Sequence, residues 1–202
     1  ARLDNDRVAD RGDNIVKVTD AKGTPLPYTI NKTMMRVDLP QPLASGASYV
    51  FNVEWWYNIN DRMKEGGRSG YEYFPKDSNY LYAIAQFFPR MCVYDDINGW
   101  QHKQFLGSGE FTLVFGDYDV KITVPSDHAV AATGLLQNAK EVLTKAQMDR
   151  YAQAQKSYQE PVKIITNEEP LKNETSRATT EKTWHFKATN VRDFAFASSR
   201  KF

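Results

Sequence analysis

The run from Asp117 to Pro125, DYDVKITVP, alternates without a break. Tyr118, Val120, Ile122 and Val124 fall on one side, and Asp117, Asp119, Lys121 and Thr123 on the other. Successive side chains of a strand point to opposite faces, so this period predicts a half-buried β-strand. The same pattern recurs in SYVFNVEWWYNI, which places Tyr49, Phe51, Val53, Trp55 and Tyr57 on one face. TWHFKATN repeats it through Trp184 and Phe186, and RDFAFASS through Phe194 and Phe196. Turn signals separate these runs: AKGTP, QPLASG, EGGRSG, DINGW and VPSDH. Many short strands divided by turns predict a mainly β fold, an antiparallel sandwich or a saddle-shaped sheet.

One segment departs from the pattern. NAKEVLTKAQMDRYAQAQKSYQ is rich in Ala, Gln, Lys and Glu and holds neither Gly nor Pro. Asn138 with Glu141, and Thr144 with Gln147, both have the spacing of a capping box. This predicts one or two helical turns and then a helix of about three turns, ended before Pro161. The following NEEPLKNETSRATTEK is polar and is expected to be an exposed, mobile loop. Together, residues 137–182 read as a helix-loop insertion at a sheet edge.

The length of 202 residues suits one large β-rich domain, or at most two small ones. Its 26 basic and 25 acidic side chains leave a net charge of +1, which argues against a nucleic-acid surface, where Lys and Arg must cluster. No run approaches the roughly 18 apolar residues of a membrane span. The charged opening, ARLDNDRVADRGDN, shows no signal peptide. A single cysteine, Cys92, rules out an internal disulfide framework and reads as a small buried hydrophobe.

The catalytic motifs that sequence can show are missing. His102, His128 and His185 sit in no metal-ligand spacing, there is no H-E-x-x-H, and each reads as an ordinary surface or sheet residue. There is no G-x-S-x-G elbow. GSGE, from Gly107 to Glu110, is followed by an expected strand, FTLVFG, and not by the helix a phosphate would need. Asp95 and Asp96 precede Ile97-Asn98-Gly99 and read as a turn. On these residues alone the chain is a β-domain without catalytic apparatus. It is either a stand-alone module, binding carbohydrate or protein through the flat faces of WWY and Trp100, or a non-catalytic part of an enzyme.

Three blocks carry a resemblance: AQFFPRMCVYDDINGW, QFLGSGEFTLVFGDYDVKITVPSDHAVAATG and NVRDFAFASSRKF. They resemble the N-terminal domain of aminopeptidase N-like zinc metallopeptidases, the gluzincins, in a bacterial branch. The likeness runs from about Tyr49 to Phe202. It implies a saddle-like antiparallel β-domain, residues 1–202, that is truncated at both ends and serves a larger aminopeptidase. The zinc and its H-E-x-x-H motif would lie in a catalytic domain outside this chain, so no cofactor is expected within it. That catalytic domain and a peptide substrate are the expected partners. Since this branch is often exported, the resemblance favours a periplasmic or extracellular setting. It also points to a Gln-x-Glu element that reaches the active site. Gln86 matches its first position, which lines the pocket for the substrate's first side chain. Phe88 stands at the last, where a polar group would bind the substrate amine; its ring offers only a cation–π contact. Read without the resemblance, Gln86 is a polar strand residue at a domain edge.

Overall fold

The computed structural model describes residues 12–104 and 112–202. The chain opens with β1 (Asn14–Asp20), β2 (Tyr28–Asn31), β3 (Met34–Val37) and β4 (Phe51–Trp56). Helix α1 (Arg62–Glu65) leads to β5 (Gly70–Phe74), β6 (Asn79–Ala85), β7 (Tyr94–Asp95) and β8 (Gly99–Trp100). Next come β9 (Gly116–Pro125), β10 (Ala129–Ala132) and β11 (Leu135–Leu136). Helices α2 (Ala139–Val142), α3 (Lys145–Ala154) and α4 (Glu169–Glu174) precede β12 (Glu181–Val191) and β13 (Ala195–Ser199). Every pairing between these strands is antiparallel. The mainly β, antiparallel class expected from the alternation holds.

The chain divides into two compact units. Residues 1–58 and 87–114 make the first, and 59–86 with 115–202 make the second. In the first unit β1 pairs with β4, setting Val18 opposite Val53, and Val18, Leu26 and Val93 are buried. Its β4 alternates as predicted, with Phe51, Val53 and Trp55 turned partly inward and Asn52, Glu54 and Trp56 outward. The β2–β3 hairpin is tied to a later segment by Gln104, which accepts from Thr33 N at 3.0 Å and donates to Asn31 O at 2.9 Å.

The second unit contains a four-stranded sheet, β10-β13-β6-β5, and a three-stranded sheet, β11-β12-β9. Along β9 and β12 the predicted alternation holds: Ile122 faces Trp184 and Val120 faces Phe186 on the inner side. On the outer side Thr123 meets Thr183, with their hydroxyls 2.8 Å apart, and Asp119 pairs with Lys187 at 3.0 Å. Ile84, Ile122, Val130, Trp184, Phe186 and Ala188 are buried, and Phe194, just before β13, is wholly enclosed. Burying one such side chain stabilises by about 1.5–3 kcal/mol, so this inner layer carries most of the fold.

The helical segment lies within this unit. Thr144 and Gln147 form the expected capping box ahead of the ten-residue α3. Asn138 does not cap α2: its side chain accepts from His185 N and donates to Thr183 O, fastening the helix to β12. Two local expectations fail. Residues 112–115 are not strand, since β9 begins only at Gly116, and GSGE lies outside the described residues. NEEPLKNETSRATTEK is not simply a loop, because it holds α4. Arg150 Nη2 donates to both Glu169 oxygens, at 2.7 and 2.9 Å, and Asn79 Nδ2 donates to Glu174 O at 2.9 Å.

Candidate functional site

Strand β6 stops at Ala85, so Gln86 lies in a bend just beyond it, exposed to solvent. Its φ is +53°, in the left-handed region that costs a side-chain-bearing residue about 1–2 kcal/mol. Three other non-glycine residues share this conformation among those described. Lys32 and Ser78 occupy hairpin turns, and Asn190 lies at the irregularity in β12, places where chain reversal or a bulge requires it. Gln86 is in neither setting.

The chain then enters the first unit. Trp55 Nε1 donates to Phe87 O at 3.2 Å, which holds this stretch against β4. Phe87 and Phe88 meet edge to face at 5.1 Å, and both are half-buried. The Arg90 guanidinium carbon lies 5.5 Å from the centre of the Phe88 ring. That is within cation–π range, so Phe88 already has a cationic neighbour from this chain. Sequence gave no sign of this contact; two-residue spacing after a proline fixes no geometry. Cys92 is half-buried, not enclosed as expected, with its sulfur 3.8 Å from Met34 Sδ. Asp95 makes the turn foreseen for it: it accepts from Ile97 N at 3.0 Å, Asn98 N at 2.6 Å and Gln101 Nε2 at 2.7 Å. The backbone N–H of Asn98 is the largest of the causes that hold its carboxyl below the usual range.

The histidines do not assemble. His102 Nδ1 lies 2.7 Å from Trp100 O, and His185 Nε2 lies 2.6 Å from Asp119. His128, expected at a surface or in a sheet, is instead a buried turn residue, 4% exposed. Its Nδ1 is 2.9 Å from the hydroxyl of Ser198, itself 2% exposed. Among the described residues no group of three or more His, Cys, Asp or Glu side chains is arranged to hold a metal ion. Among the described residues no helix is long and apolar enough to cross a membrane.

A half-buried polar set at one end of the four-stranded sheet went unforeseen. Asp127 accepts from Arg200 Nε and from Ala178 N, both at 2.8 Å. Burial alone would raise the Asp127 pKa. Arg200, the Ala178 N–H and Ser176 outweigh that and hold it at about 2. Lys201 pairs with Asp77 and, at 2.8 Å, with Glu174. These partners lie 27 to 124 residues apart in sequence, so no local pattern announces them.

Compared with protein-family profiles, curated proteins and solved structures, the chain matches none.

Proposed function

We propose that this chain is the non-catalytic N-terminal scaffold and substrate-pocket domain of a zinc-dependent aminopeptidase. The parent enzyme removes N-terminal residues from peptides, with zinc and general base supplied by its catalytic domain. Gln86 lines the pocket for the first side chain of the substrate. The observation that carries the reading is the exposed, left-handed bend at Gln86. Backbone strain persists where surrounding structure over-determines it, and such residues concentrate at binding sites. It supports the reading alongside the three sequence blocks. Phe88, with Arg90 at its ring, is a poor receptor for an ammonium, so amine recognition rests mainly on the catalytic domain.

The test is Gln86→Ala in the full-length enzyme, with Gln86→Gly beside it. Both variants are expected to keep Tm, Gly even raising it slightly by relieving φ, while KM or residue preference changes several-fold. Unaltered kinetics in folded variants would refute the site. The alternative is a stand-alone module that binds carbohydrate or protein, and it draws on Trp56 and Trp100, each 52% exposed. Quenching of their fluorescence by an oligosaccharide, with no H-E-x-x-H in the reading frame beyond Phe202, would favour it.

A further inference from the structure

We propose that the turn between β9 and β10 is an acid-released latch: neutral His128 closes it onto the end of β13, and protonation of the imidazole opens it. The idea is independent of the aminopeptidase reading. His128 N donates to Pro125 O at 2.9 Å, which fixes the turn. The imidazole meets Ser198 of β13 and lies 6.3 Å from the Tyr82 ring of β6. The charged groups that face it are Arg200 beyond β13, Lys182 of β12 and Asp127 of its own turn. Lys182 is half-buried, its ammonium 5.1 Å from the Trp184 ring centre and 3.3 Å from Val142 O.

A proton on His128 would therefore make a third cation beside a single carboxylate, and Asp127 is already engaged by Arg200 and Ala178 N. The Ser198 contact does not decide the matter, because a hydroxyl serves either protonation state. Burial first, then Arg200 and Lys182, hold the His128 pKa below its usual 6.5, with Asp127 opposing. The opened turn consequently binds the proton more readily than the closed one. Closure is at full strength above pH 6.5 and weakens as pH falls from there toward the lowered pKa.

Opening has a defined consequence. Asp127 anchors Ala178, while Ser126 N donates to Thr180 O at 2.9 Å and the two side-chain hydroxyls lie 2.9 Å apart. Mild acid should thus free the 176–180 stretch while the sheets stay paired.

The experiment is amide exchange on the whole chain between pH 7.5 and 5, corrected for intrinsic rates. Protection at Ser126 and Ala178 is expected to fall by up to about tenfold per pH unit below 6.5, the limit for one proton. In His128→Gln, which keeps a hydrogen-bonding group without the titration, protection should stay level across this range. If that variant does not fold, Lys182→Met serves: removing one cation that lowers the His128 pKa brings it back toward 6.5, so the loss should be smaller and level off at a higher pH. An imidazole resonance for His128 that titrates at or above 6.5, or a pH-dependent loss that survives in His128→Gln, would overturn the latch.

Discussion

At Gly134 the backbone runs so close to β12 that a Cβ would stand 2.3 Å from Lys187 O and 2.9 Å from Ala188 Cβ. Its φ of +90° adds a second reason for glycine. This is the glycine of AATG, and its role is physical: it lets β10 and β11 follow one another over the β12 ladder. Gly23 has a similar φ of +85° but open space around its Cα. The two separate conformation from crowding. Gly23→Ala should cost only about 1–2 kcal/mol, the left-handed penalty alone. Gly134→Ala must also displace a paired strand and should cost about 3 kcal/mol or more. Urea unfolding of both variants checks this, and equal losses would show that β12 yields to the new methyl without resistance.

At the scale of elements, the helices mark what sequence can and cannot tell. Thr144 and Gln147 signal α3 locally, and the box forms: Gln147 N donates to Thr144 Oγ1 at 3.3 Å and Thr144 N to Gln147 Oε1 at 3.0 Å. Thr144→Ala should therefore destabilise by about 1 kcal/mol, read as a lowered urea midpoint with an unchanged slope; no change would mean that contacts such as Arg150 with Glu169 hold the helix without its cap. Helix α4 has no such signature. Its sequence, EPLKNE, has one apolar side chain besides its proline, and Leu171 is exposed. What holds it is remote: Arg150 on Glu169, Asn79 on Glu174 O, and Lys201 on the Glu174 carboxylate. The strands were legible because the alternation of inward and outward residues is itself the physical cause of the sheet. The candidate site was legible only in part. Gln86 stood out by its place in a motif, but its φ, the Arg90 contact of Phe88 and the burial of His128 depend on neighbours that no spacing encodes.

At the scale of the whole molecule, a net charge of +1 conceals strong local pairing. Asp77 beside Lys201, Asp119 beside Lys187 and His185, and Asp127 beside Arg200 are all held below their usual carboxylate value. A depressed carboxylate binds its proton less readily folded than unfolded. Its stabilisation is complete above the unfolded value of 3.8 and is lost as pH falls through the folded one. For Asp127 that interval runs from 3.8 down to about 2. It lies well below the His128 range, so acid should act in two separate stages, a local opening first and loss of the fold later. Asp127→Asn isolates the second stage. At pH 7 the variant leaves the nearly buried Arg200 without its counter-charge and should lose about 3 kcal/mol or more. Toward pH 2 the wild-type carboxyl is itself protonated, so the gap in urea midpoint between the two proteins should shrink steadily. A gap that stays constant from pH 7 to pH 2.5 would mean that Asp127 contributes through shape and hydrogen bonding, and not through its charge.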